Sequence, residues 1–126
     1  IVDRIDIWVT VGQIEYDKLA ETATTGDTSH TIRERIIAAR KRQHRRYQSD
    51  TRSNSTMTTK EIDEHAQLGD EARTILTQSA EKLGLSPRAY HRVQRLARTI
   101  ADLDDKDTID VSHVLEALQY RPKQIR

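Results

Sequence analysis

Arginine is the residue type through which most of the chemistry open to this 126-residue chain would run. Arg40, Lys41, Arg42, Arg45 and Arg46 stand close together, and Arg88, Arg92 and Arg95 recur at spacings of four and three, which puts them on one side of a helix. A guanidinium is always charged and offers a planar fork of donors, suited to phosphate oxygens and to the edge of guanine. The first cluster could neutralise nucleic-acid phosphates without reading sequence, with affinity that falls as salt rises; the alternative is an ordinary solvated helix face. The second cluster lies in the stretch from Ala80 to Val93. Alanine four residues before Gly84, with Tyr90 and Val93 six and nine after it, mimics a DNA-binding helix-turn-helix. On that reading Arg88, His91, Arg92 and Arg95 enter the major groove. Any helix–glycine–helix corner of a bundle gives the same spacing.

Other chemistries lack their residues. There is no glycine-rich phosphate loop of the GxxxxGK[ST] type and no acidic strand end beside one to hold Mg²⁺, so the chain is not expected to hydrolyse a nucleotide by itself. The five histidines show no metal-ligand spacing, so no metal site is expected, and no serine–histidine pattern signals a nucleophile. Cysteine is absent, which excludes disulfides and thiol chemistry and is compatible with a cytoplasmic location. No apolar run reaches the roughly 20 residues of a membrane span, and the N-terminus lacks the basic and apolar regions of a signal peptide. The segment Asp3-Arg4-Ile5-Asp6, taken alone, is only a charged lead into a strand.

The elements that must position these arginines are mostly helices. With 35% apolar and 33% charged residues, one Trp, no Phe, four Gly and two Pro, the composition favours aliphatic helix packing over a many-turned sheet. The net charge of +1 hides separated fields: Arg33 to Arg52 is strongly basic, whereas acids gather at 61–71 and 102–110. Residues 4–11 alternate with Ile5, Ile7, Val9 and Val11 on one side, a strand signal with no second strand to pair it. Such a strand needs partners outside the chain, which suggests a piece of something larger. After a polar connector at 22–30, Thr31 with Glu34 reads as a capping box opening a helix whose stripe is Ile32, Ile36, Ala39, Gln43 and Tyr47. Residues 48–57 read as a flexible loop.

Thr58 with Glu61 predicts a second capping box and a short helix to about Gln67. Asp70 can cap a third helix with Ala72, Ile75, Leu76, Ser79, Ala80 and Leu83 inward, closed by Gly84 and Leu85. Ser86-Pro87 predicts the start of a long helix to about Leu103 that buries Ala89, Val93, Leu96, Ala97, Ile100 and Leu103. Asp110 then caps a last helix with Val111, Val114, Leu115 and Leu118 inward. The fold expected is mainly α: an antiparallel helical bundle preceded by one short β-strand.

Four stretches together resemble a known family. LSPRAYHRVQRLARTIADL (85–103), IRERIIAARKRQ (32–43), VLEALQYR (114–121) and VDRIDI (2–7) are similar to the C-terminal region of magnesium-chelatase-like AAA+ ATPases of the ComM/YifB type. The first stretch is highly specific, and the last resembles the family's LLDRID segment. Pro87 and Gln94 depart from the commoner family residues and touch neither of the arginines named below.

The resemblance implies that residues 1–20 are the last strand and exit of the ATPase core, 21–30 a linker and 31–126 a helical C-terminal lid. It implies a ring-forming, probable-hexamer type of motor associated with DNA, with branch migration during natural transformation as the ComM-type activity. ATP and Mg²⁺ would serve the full-length protein, with neither expected to bind tightly to this chain. Partners would be the rest of the core, neighbouring subunits and DNA, with no membrane. By motif, Arg4 matches the arginine finger that reaches a neighbouring subunit's nucleotide, and Arg88 matches the sensor 2 arginine at the start of the lid helix. The function expected is a nucleotide-sensing, subunit-contacting lid; the alternative is a helix-turn-helix-like DNA-binding module using Arg40, Lys41, Arg42, Arg45, Arg46, Arg92 and Arg95.

Overall fold

The computed structural model describes residues 4–12 and 28–121. Five helices stand in order among them: α1 (Ser29–Tyr47), α2 (Thr59–His65), α3 (Asp70–Leu83), α4 (Pro87–Leu103) and α5 (Val111–Gln119), with a 3-10 turn at Asn54–Thr56. Helix α4 touches α1, α2, α5 and the 3-10 turn, while α3 packs on α5. The side chains that fill the space between them include Ile62, Leu76, Val93, Ile109 and Val114. Ala97, Ala101 and Ala117 are fully buried, and their small side chains let α4 and α5 approach closely. The connectors are tied as well: Leu68 and Ile109, both buried, form an isolated parallel bridge.

Local signals set most helix ends. Ser86 Oγ accepts from Ala89 N at 3.0 Å with Pro87 in the first turn, and Gly84 adopts a left-handed φ of 63° while Leu85 N donates to Ala80 O at 2.9 Å. Thr58 and Glu61 form the reciprocal box at 3.1 and 3.2 Å. Helix α2 ends at His65, two residues before the expected Gln67. Gly69 holds the cap position of α3, and Asp70 is its first residue, favourable at the positive helix end. Helix α4 ends at Leu103 with Asp104 as its cap, and Asp105, just beyond, has a φ of 58°, the left-handed conformation usually left to glycine. Its carboxylate accepts from Arg42 there, as described below.

Several expectations are corrected. The cap of α1 is Thr28, not Thr31: Thr28 Oγ1 accepts from Thr31 N at 3.1 Å, so the helix begins inside the expected connector, of which residues 22–27 lie outside the described residues. Residues 5–12 form no strand. A strand needs a neighbour to satisfy its backbone groups, and none is offered among the described residues. Instead, Trp8 N donates to Tyr120 O at 2.7 Å. The 48–57 loop is packed rather than flexible, with Asn54 and Met57 buried. Ile32, Ile36, Leu83, Leu103 and Leu115, expected inward, are exposed; α1 buries Ala39 and Gln43 in its second half, and Ile32 and Ile36 of its first turns line an open groove with Leu103 and His113.

Arg52 grips Glu61 with both terminal nitrogens, at 2.7 and 2.8 Å, and this joins the 48–57 loop to the capping box of α2. The Arg52 hydrogen bonds, with further ones from Thr58, hold the Glu61 carboxyl down at about 2. A carboxylate whose folded pKa lies below its unfolded value stabilises the fold above the ordinary carboxylate range and loses that contribution as pH falls through the folded value. Side-chain NMR titration should find the Glu61 midpoint at about 2. Arg52→Gln should return it toward the ordinary carboxylate range and move the onset of acid unfolding to higher pH.

Candidate functional site

Asp102 is an acid on the α4 face that meets α1, and its side chain is completely buried. Arg46 of α1 reaches it as a fork, Nη1 to Oδ2 at 2.8 Å and Nη2 to Oδ1 at 2.7 Å. Asn54 Nδ2 donates to the same Oδ2 at 2.9 Å and to Thr99 Oγ1 at 3.1 Å. The Asn54 amide oxygen accepts from Arg46 at 3.0 Å and from the Tyr47 hydroxyl at 2.7 Å, and its backbone N–H donates to Gln43 Oε1 at 2.9 Å. Gln43, Asn54 and Asp102 thus satisfy one another, as buried polar groups must. Hydrogen bonding to Asp102 pushes the Arg46 guanidinium up, and burial pushes the Tyr47 hydroxyl up.

Arg98 approaches the same carboxylate at 3.3 Å, one helical turn before it. Its Nη atoms donate to the carbonyls of Lys106 and Asp107 at 2.7 and 2.8 Å, which pins the chain leaving α4. Burial pushes this guanidinium down. Arg42 clamps the same turn from outside, donating to Asp105 at 2.9 Å and to Asp107 at 2.6 Å; the bond from Arg42 draws the Asp107 carboxyl down. His113 closes the end of α4, its Nε2 lying 2.9 Å from Asp104 while Nδ1 accepts from Asp110 N at 2.9 Å.

The arginines singled out in the sequence therefore divide. Arg42 and Arg46 bind α1 to the end of α4. Arg95 donates to Ser55 O at 2.9 Å, and Arg92 pairs with Asp6 of the N-terminal segment. Arg40, Lys41 and Arg45 are exposed on α1 and make no hydrogen bond or ion pair among the described residues. Arg88 is exposed in the first turn of α4, a turn without an acidic residue, and it too has no partner among the described residues. Arg4 is exposed in the segment that Asp6 ties down. Of the four side chains a helix-turn-helix would send into a groove, Arg92 and Arg95 are already engaged and His91 lies edge-on to Tyr90.

Asp102, Asn54, Gln43 and Arg98 went unnoticed as a set in the sequence. One signal was available: Asp102 is the first acid after Ser86, set between Ala101 and Leu103 in a helix otherwise rich in arginine. Among the described residues, no three His, Asp or Glu side chains converge as metal ligands, and no helix is long and apolar enough to cross a membrane. Exposed guanidinium groups fit phosphate oxygens, whereas the sequence carries no loop to cradle a triphosphate.

The family model described as magnesium chelatase, subunit ChlI C-terminal, matches residues 26–121. The chain is 37% identical over 120 residues to the competence protein ComM of Haemophilus influenzae, 95% of this chain and 23% of that protein. It is 35% identical to the uncharacterized protein YifB of Escherichia coli and 34% identical to that of Salmonella typhimurium, with the same coverage. The chain thus spans 23% of the length of these curated relatives.

Removing Asp102 strands buried charge on two arginines and leaves the Asn54 amide short of an acceptor. Asp102→Ala should cost about 3–5 kcal/mol in urea unfolding. Arg46→Ala combined with Asp102→Ala should cost less than the two single losses added together, because the pair acts as a unit.

Proposed function

This chain belongs to the magnesium chelatase ChlI C-terminal family, in its ComM/YifB branch, and from that premise we propose that it is the lid through which a DNA-associated AAA+ ATPase senses its nucleotide. The observation that carries the reading is the state of Arg88. Arg42, Arg46, Arg92 and Arg98 are each engaged within the chain, whereas Arg88 stands exposed in the first turn of a 17-residue helix with no acid beside it. Its charge adds to the positive end of the helix, so an anion held there meets both. Forked donation to phosphate oxygens is the chemistry this position suits.

Arg4 is assigned to stabilise charge that develops on a transferring phosphoryl group, as a finger reaching a neighbouring subunit's nucleotide. ATP with its Mg²⁺ supplies that phosphoryl chemistry when bound, and the phosphate cradle and metal ligands belong to the longer protein. What this chain contributes is placement: Ser86, Pro87 and Gly84 fix the start of α4 and hence Arg88, and the core behind α4 keeps that helix rigid. Ring assembly, with neighbouring subunits as partners, follows from the same reading.

A second reading concerns DNA and rests on Arg40, Lys41 and Arg45, which are exposed and make no hydrogen bond or ion pair among the described residues. This surface suits the phosphate backbone, not base edges. It is narrower than the sequence suggests, because Arg42, Arg46, Arg92 and Arg95 are otherwise engaged.

In the full-length protein, Arg4→Ala should lower the ATP turnover number by about 10³-fold or more, the range typical of a lost finger. Arg88→Ala should also depress hydrolysis severely while leaving circular dichroism and the unfolding midpoint of the chain unchanged. Unaltered turnover in the Arg88 variant would refute the sensing role. For DNA, replacing Arg40, Lys41 and Arg45 with Ala should flatten the logarithmic dependence of binding on salt by roughly 0.9 per cation removed, measured with duplexes of unrelated sequence.

A further inference from the structure

The ion pair between Asp6 and Arg92 joins residues 86 apart in the chain. Asp6 lies two residues after Arg4, and Arg92 lies one helical turn after Arg88 on α4. A contact of that sequence separation is not enforced by connectivity; it must be held by a specific interaction that outweighs the entropy of closing the loop. Three features supply one. The Arg92 side chain is only 16% exposed, so the pair is shielded from solvent screening on one side. Its Nε is buried without a partner among the described residues, which leaves Asp6 as the acid that compensates this charge. Two residues beyond Asp6, Trp8 N donates to Tyr120 O at 2.7 Å. Exposure then rises from 38% at Trp8 to 68% at Val9 and 86% at Val11, so the segment is held at its start and released after Trp8.

We propose that the Asp6–Arg92 pair is a latch that docks the Arg4 segment on α4, so that Arg4 and Arg88 are presented at a fixed offset by one rigid body. Asp6 and Arg92 are then positioning residues for hydrolysis, acting through the two arginines. The functional half of this inference rests on the reading of Arg4 and Arg88 given above; the structural half does not. The latch also assigns Arg92 a job inside the protein, in place of contact with nucleic acid.

Trp8 is the only tryptophan of the chain, so its fluorescence and amide exchange report the docking directly. Asp6→Asn and Arg92→Gln should each shift Trp8 emission to the red, increase its quenching by acrylamide and speed exchange of its amide. The swap that combines Asp6→Arg with Arg92→Asp should restore much of the wild-type signal. Helical circular dichroism should stay constant in Asp6→Asn, since Asp6 lies outside the core. In the full-length protein, Asp6→Asn should lower the turnover number roughly 10- to 100-fold, the scale of a slightly misplaced group, with little change in KM for ATP, and the swap should recover part of it. Wild-type Trp8 emission and exchange in Asp6→Asn would overturn the latch. Undocking without loss of turnover, where Arg4→Ala does lose it, would overturn the positioning role. Undocking with Arg4→Ala and Arg88→Ala both fully active would overturn the nucleotide-sensing reading and with it the positioning role, while leaving the docking contact established.

Discussion

The buried carboxylate of Asp102 is the constraint on which the rest of this bundle depends. A charge removed from water must be matched by partners of good geometry or it destabilises the fold by several kcal/mol. Here the match comes from three separate parts of the chain: Arg46 from α1, Asn54 from the packed loop and Arg98 from α4 itself. Because each partner must arrive in a fixed orientation, satisfying Asp102 sets how α1 lies on α4 and holds the 48–57 loop between them. A hydrophobic contact alone would allow α1 to slide or roll; forked hydrogen bonds do not.

That constraint also sorts the arginines. A guanidinium stays charged when buried, so each one near the core must be given an anion or carbonyls. Arg42 takes Asp105 and Asp107, Arg98 takes the carbonyls of Lys106 and Asp107, and the turn after α4 is drawn tight enough that Asp105 accepts a left-handed backbone. Among the cations left exposed are Arg88 at the start of α4, Arg4 on the docked segment, and Arg40, Lys41 and Arg45 on α1, which the chain can offer to others. A charge count by region would have treated all of these alike.

Much of the helical framework was legible in advance, and the reasons are local. Ser86-Pro87, Thr58 with Glu61, and Gly84 with Leu85 each act within four residues, so the bounds of α4 and the closure of α3 follow from spacing alone. The same reasoning placed the start of α1 one turn late, since Thr28 and Thr31 are both competent caps and the sequence offered no means to rank them. The 48–57 stretch read as a flexible loop because its serines, threonines and asparagine are turn formers. Burial of Asn54 depends on Gln43, Thr99 and Asp102, which lie 11 to 48 residues away. The strand expected at 4–11 fails for a related reason: alternation prescribes a strand's faces but cannot provide its neighbour.

The sequence by itself determined the helices, most of their ends, the absence of a phosphate loop and the family, because these rest on short-range backbone preferences and on motifs contiguous in the chain. Only the tertiary structure decided which arginines are available. Arg46 meets Asp102 across 56 residues, Arg42 meets Asp105 across 63, and Arg92 meets Asp6 across 86. Periodicity shows that a cation lies on a given helix face, but the partner opposite that face is set by packing. For that reason Arg42, Arg46 and Arg92 look the same as Arg40, Arg45 and Arg88 in the sequence, and in the fold they hold the molecule together while the others face outward.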